Sequence, residues 1–168
     1  MAADVAASTS GATTTASGSC EVARRRPDVW RALAVLEPYC SVCDVSYVLG
    51  ETGRGPDVGT TFVCAPGRLD GAEPAPGAPR GEIVAWEPEL HVTTRLELTP
   101  ETWTTRIELT DAAAGGTRVS ITITHEPTGG GRIVRRLQRN ALRRLVQRTV
   151  DAELAKVPAH VDRLAERG

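Results

Sequence analysis

A chain of 168 residues, 40% apolar and 24% charged, is sized and composed for one soluble domain with a sizeable core. No apolar run approaches the roughly 20 residues needed to span a bilayer. With three Trp, two Tyr and one Phe, the chain also has too few aromatics for a single-strand stacking platform, so no nucleic-acid partner is expected.

The N-terminus up to Gly18 is rich in Ala, Ser, Thr and Gly, with Asp4 as its one charged side chain. It lacks the basic start and unbroken apolar stretch of a secretory signal, so residues 1–14 are expected to be a flexible tail and the location cytoplasmic. Residues 15–168 then form the domain. A first strand is expected from Ala16 to Ala23. Arg26-Pro27-Asp28 opens a short helix, since proline suits the first turn and an acid there complements the helix dipole. Val29, Trp30, Leu33 and Leu36 carry it at helical spacing to Pro38, and Tyr39–Asp44 is expected to be a second short helical piece.

Strands follow at Val45–Gly50, Thr60–Cys64, Gly81–Glu87, Leu90–Leu98, Thr102–Thr110 and Thr117–Glu126. The last three show period-two alternation. Leu90, Val92, Leu96 and Leu98 share one face, while His91, Arg95 and Glu97 take the other. Trp103, Ile107 and Leu109 face inward on the next strand, and Val119, Ile121, Ile123 and His125 on the last. One dry and one wet face indicate an open antiparallel sheet covered on one side. The register that pairs Trp103 with His125 also pairs Thr105 with Ile123, Ile107 with Ile121 and Leu109 with Val119. Leu98 is expected opposite Trp103.

After Gly129-Gly130-Gly131, no helix breaker occurs until Pro158. A helix from about Arg132 to Val157 would be roughly 40 Å long. Its expected apolar stripe runs through Ile133, Leu137, Ala141, Leu145, Val146, Thr149, Val150 and Leu154.

The order of strand, short helices, strand meander and long helix resembles the START-like or SRPBCC superfamily, including polyketide cyclase/dehydrase and lipid-transport proteins. The likeness is carried by Arg26-Pro27-Asp28-Val29-Trp30, Gly59-Thr60-Thr61-Phe62, Gly81-Glu82-Ile83 with Trp86 and Pro88, and Gly116-Thr117-Arg118-Val119. It implies an α+β helix-grip fold: a curved antiparallel sheet of about seven strands around a long C-terminal helix, with two short helices after the first strand. It also implies a cavity between sheet and helix for lipids, sterols or polyketides, without a shared catalytic motif. The Pro/Gly-rich insertion 66–79 departs from many relatives and is expected to be a mobile lid.

A meander puts connections 65–80, 99–102 and 126–131 at one end of the sheet, the expected mouth. The expected ligand-contacting residues are Leu96, Leu98, Trp103, Thr105, Ile107 and Ile123, with His125, Leu137 and Ala141. His125 is the one candidate for acid–base chemistry. Its bland role is a hydrogen bond that ties the strand end to the helix entry.

Cys20, Cys40, Cys43 and Cys64 are read as small buried thiols. Cys40-x-x-Cys43 lacks the second pair of a zinc site and the helix-start context of a redox site, so no metal and no cofactor are expected. The seven arginines and no acid between Arg132 and Arg148 are read as a solvated helix face. The leading function is a binding or carrier protein for a hydrophobic or amphipathic small molecule. A polyketide aromatase/cyclase or dehydratase is the alternative, against which the thin inward polar inventory weighs. A toxin-like or ribosome- or membrane-associating protein using the arginine-rich helix peripherally is the third.

Overall fold

The computed structural model describes residues 8–10, 13–34, 36–50, 56–98, 101–127 and 132–165, with backbone alone for 8–10, 132–138 and 165. Its elements in chain order are β1 (Ser8–Ser10), β2 (Thr13–Val22), α1 (Arg26–Leu33), β3 (Tyr39–Cys40), β4 (Val45–Leu49), β5 (Thr61–Pro66), β6 (Arg80–Glu87), β7 (His91–Leu98), β8 (Glu101–Asp111), β9 (Thr117–Pro127) and α2 (Arg132–Ala165). Among the described residues, nine strands form one antiparallel sheet in the order β1-β2-β9-β8-β7-β6-β5-β4-β3. This is the helix-grip α+β architecture.

Alternation sets the pairing of the last two strands. Trp103 lies opposite His125, Thr105 opposite Ile123, Ile107 opposite Ile121, and Leu109 opposite Val119, as parity requires. The preceding turn is tighter than the sequence suggests: Leu98 faces Glu101, and Leu96 faces Trp103. Leu90 falls in the turn before β7 and is 40% exposed rather than inward. A bulge between Ile83 and Ala85 shifts the register of β6. It lets Ile83 and Trp86, three positions apart, point the same way, so that Trp86 meets Trp30 of α1 edge-on at 4.9 Å.

Three boundaries differ from expectation. First, β2 begins at Thr13 and pairs with β1, so strand structure enters the segment read as a tail. Thr14, opposite His125, is 2% exposed. Second, Tyr39–Asp44 is a two-residue edge strand followed by a turn, not a helix. Asp44 adopts φ 53, a left-handed conformation that stops a helix, and Tyr39 donates its hydroxyl proton to Asp44 Oδ1 at 2.8 Å. Third, α2 continues through Pro158 to Ala165. An interior proline costs about 3 kcal/mol. Val157 and Val161, 1% and 4% exposed, each return roughly 1.5–3 kcal/mol by burial.

The buried stripe of α2 is Val146, Val150, Val157 and Val161, with Leu142 and Leu154 half-buried. Leu145 is 51% exposed and Ala141 is exposed, so these two members of the expected stripe face away from the core, while the side chains of Ile133 and Leu137 lie outside the described residues. The helix rests directly on β2 where that strand has no side chain. A Cβ at Gly18 would stand 2.8 Å from Leu154 Cδ1 and 3.3 Å from Val150 Cγ1.

The insertion 66–79 is tied down at its start. Ser46, 1% exposed, donates its hydroxyl proton to the Gly67 carbonyl at 2.8 Å and accepts from the Leu69 amide at 3.2 Å. No helix among the described residues is long and apolar enough to cross a membrane.

Candidate functional site

Between the concave face of the sheet and the two helices lies a cavity of about 520 Å³. Its centre is aliphatic. Ile83, Val92, Ile107, Ile121 and Ile123 line it from four adjacent strands, because each strand contributes every second residue. Leu96, Leu98 and Trp103 extend this wall, with Thr94 and Thr105 as its hydroxyls. The Tyr47 ring meets Phe62 edge-on at 5.9 Å, and both line the cavity. Phe62 in turn lies over Gly81, its directly opposed partner on β6, where a Cβ would sit 2.3 Å from the ring's Cζ.

One side of the cavity is polar. Thr149, Glu153, Lys156, His160 and Arg163 project from α2 at spacings of four, three, four and three residues, which is one face of the helix. Two of its cations are already paired: Lys156 Nζ with Glu153 Oε1 at 2.7 Å, and Arg163 Nη2 with Glu37 Oε2 at 2.7 Å. The edge turn supplies thiols. Cys40 Sγ lies 3.8 Å from His160 Nδ1, and Cys43 Sγ lies 3.5 Å from His160 Nε2.

Burial dominates the protonation of this wall. It pushes the Cys43 thiol up to about 11, helped by neighbouring Cys40, and the Cys64 thiol up to about 11. The Tyr47 hydroxyl is raised by burial and then by Cys64. Burial, followed by the Arg163 charge, lowers His160 below its usual 6.5. At neutral pH the wall therefore offers the protonated thiols of Cys43 and Cys64, a neutral imidazole, a phenol and two paired cations. These groups can hydrogen-bond a carbonyl or hydroxyl.

Six of the expected contact residues, Leu96, Leu98, Trp103, Thr105, Ile107 and Ile123, line the cavity. His125 does not. It is 2% exposed, packed edge-on against Trp103 at 4.9 Å, with Nε2 3.2 Å from Glu101 Oε2. That approach is close enough for an ion pair but off the line of a hydrogen bond, and Nδ1 has no partner among the described residues. The same Glu101 oxygen accepts a hydrogen bond from Trp103 Nε1 at 3.2 Å. Ala141 is exposed and away from the cavity, and the Leu137 side chain and the triple glycine lie outside the described residues.

Strand register puts the start of β6, the end of β7, the start of β8 and the end of β9 at one end of the sheet. None of residues 66–79 lines the cavity. The polar stripe on α2 was missed because the helix was expected to end at Val157, which cuts it in half.

A sheet gripping a long helix around an interior cavity is the helix-grip fold. No protein-family model matches the sequence, and neither does any curated protein. Solved structures do match. The Zhui aromatase/cyclase from Streptomyces sp. R1128 superposes with a TM-score of 0.64 at 16% identity, over 90% of this chain and 94% of that one. The di-domain ARO/CYC StfQ from the steffimycin biosynthetic pathway gives 0.66 at 15% identity, over 94% of this chain and 52% of that one. Ara h 8.0201 gives 0.58 at 13% identity, over 92% and 99%. Likeness at these identities establishes the fold.

Proposed function

We propose that this protein binds or carries an amphipathic small molecule of lipid, sterol or polyketide type in its interior cavity. The supporting observation is the cavity itself: about 520 Å³, aliphatic at its centre and polar along α2. That volume lies within the roughly 300–1,000 Å³ of small-molecule sites, which combine apolar walls with a few placed polar groups. The apolar body of the ligand lies against Ile83, Ile107 and Ile121, and its oxygenated end meets Tyr47, Lys156 and the Cys–His corner.

Replacing Ile107 by Trp tests this directly. Ile107 borders the cavity, so the larger ring takes up ligand space rather than core. Affinity for a fluorescent apolar probe should fall by about tenfold or more, or 1.4 kcal/mol, with little change in melting temperature. Unchanged affinity would refute binding in this cavity.

Polyketide cyclisation or dehydration is the second reading. It is favoured by the polar stripe on α2, which gives the cavity more proton-bearing groups than the strands alone supply. Two of the similarly folded proteins are described as aromatase/cyclases. Turnover of a poly-β-keto mimic by the purified protein would decide for it.

A further inference from the structure

We propose that Cys40, Cys43 and His160 form a binding site for a thiophilic divalent cation of the zinc class, with three protein ligands and a fourth position open to the cavity. The turn after β3 brings Cys40 and Cys43 to one place, three residues apart, and Asp44 in its left-handed conformation closes that turn. The third ligand is invisible to spacing arguments, since it comes from α2 117 and 120 residues away from the two thiols. One of the three residues is buried and the other two are half-buried, and their donor atoms all lie within 4.8 Å of one another. A tetrahedral zinc site with metal–sulfur near 2.3 Å and metal–nitrogen near 2.0–2.1 Å has donor–donor edges of roughly 3.5–3.8 Å. The two thiols contact different ring nitrogens, Cys43 the Nε2 at 3.5 Å and Cys40 the Nδ1 at 3.8 Å. With one nitrogen as ligand the three donors lie within 4.8 Å, so an ion must draw them together to reach those edges.

The donor chemistry selects the ion. Two sulfurs and an imidazole suit zinc and its softer neighbours, and do not suit magnesium or calcium, which take oxygen. Two thiolates also neutralise a divalent ion, and the nearest cations, Lys156 and Arg163, each have their own carboxylate. A closed structural site needs a fourth protein donor. Among the described residues the cluster contains three, and all three line the cavity, so the fourth position faces the space a ligand would occupy. Ion binding itself does not depend on what fills that space.

The test is anaerobic titration of the full-length, reduced protein with cobalt(II), followed by displacement with zinc. One equivalent should bind, with thiolate-to-cobalt charge-transfer absorption and the strong ligand-field bands of a four-coordinate site. Cys43→Ser and His160→Ala should each weaken binding by roughly a hundredfold or more, beyond the 10–100-fold loss typical of outer-shell changes. His160→Cys, which restores a donor, should recover it. Cys64→Ser, another half-buried thiol lining the cavity, should leave it unchanged. The idea is overturned by any of three results: no charge-transfer band at one equivalent, a band of undiminished affinity in His160→Ala, or a Cys40–Cys43 disulfide that persists under reductant.

Discussion

Gly81→Ala puts the packing between β5 and β6 to a quantitative test. The new methyl would stand 2.3 and 2.4 Å from two carbons of the Phe62 ring and 3.0 Å from a third. Unstrained carbon contacts lie near 3.5–4.0 Å, so the ring must retreat by about 1 Å or more. Phe62 is 5% exposed, but it also borders the cavity, which gives it somewhere to go. The cost should therefore fall within the roughly 1–3 kcal/mol of overpacking. At this chain length that is about 2–4 °C in melting temperature per kcal/mol. Equilibrium urea unfolding of four proteins gives the answer: wild type, Gly81→Ala, Phe62→Leu and the double variant. With the ring removed the clash disappears, and alanine should be neutral or stabilising by about 0.4–1 kcal/mol through the unfolded chain. The sign of the alanine effect thus reverses between backgrounds. Equal destabilisation in both would refute the contact. Displaced into the cavity, the ring should also weaken probe binding in the single variant alone.

Pro158→Ala restores an amide that can donate to the Leu154 carbonyl in an exposed helical turn. It should stabilise the protein by about 1–3 kcal/mol, visible as a raised urea midpoint. Arg106 Nη2 lies 2.9 Å from Glu108 Oε1, and this hydrogen bond holds the Glu108 carboxyl below its ordinary 4.5. Its stabilisation is therefore full above pH 4.5 and lost as pH falls through the depressed value. Arg106→Gln should flatten the fall in stability between neutral and acid pH by well under 1 kcal/mol, since the pair is exposed; a steeper fall would reverse the assigned sign. His125→Gln should change ligand affinity by less than about tenfold, because the ring lies outside the cavity wall. A turnover defect in that variant would instead give the residue a role in chemistry.

The pairing of β8 with β9, each with a wet and a dry face, was readable to the residue. Arg106 and Glu108 alternate with Trp103-to-Leu109 apolar positions, and a one-residue slip would bury the charges. Features without such contrast were not readable. On α2, Leu142, Leu145 and Val146 offer two apolar faces, and the one that packs is chosen by Gly18 on β2, a hundred residues earlier and more. The β6 bulge breaks the parity that would have aimed Trp86. The Cys40–Cys43–His160 corner depends on where the far end of a helix lands on an edge strand, which is tertiary information. The α2 polar stripe runs at spacings of four and three in the sequence, but Pro158, ordinarily a helix stop, hides its second half.

The pairing of β2 with β9 has a consequence for the order of folding. Strands β4 to β9 join neighbours along the chain and can assemble as successive hairpins during synthesis. Thr13–Val22 must wait for Thr117–Pro127, and α2, which covers it, is made last. Contacts of such sequence separation form late, because closing the loop costs entropy before any contact is gained. A strand that waits with one edge open invites aggregation if it is strongly apolar. Here it reads Thr-Thr-Thr-Ala-Ser-Gly-Ser-Cys-Glu-Val, mostly small and polar. The same small residues that let α2 settle against β2 in the finished fold keep the nascent strand soluble until its partner emerges.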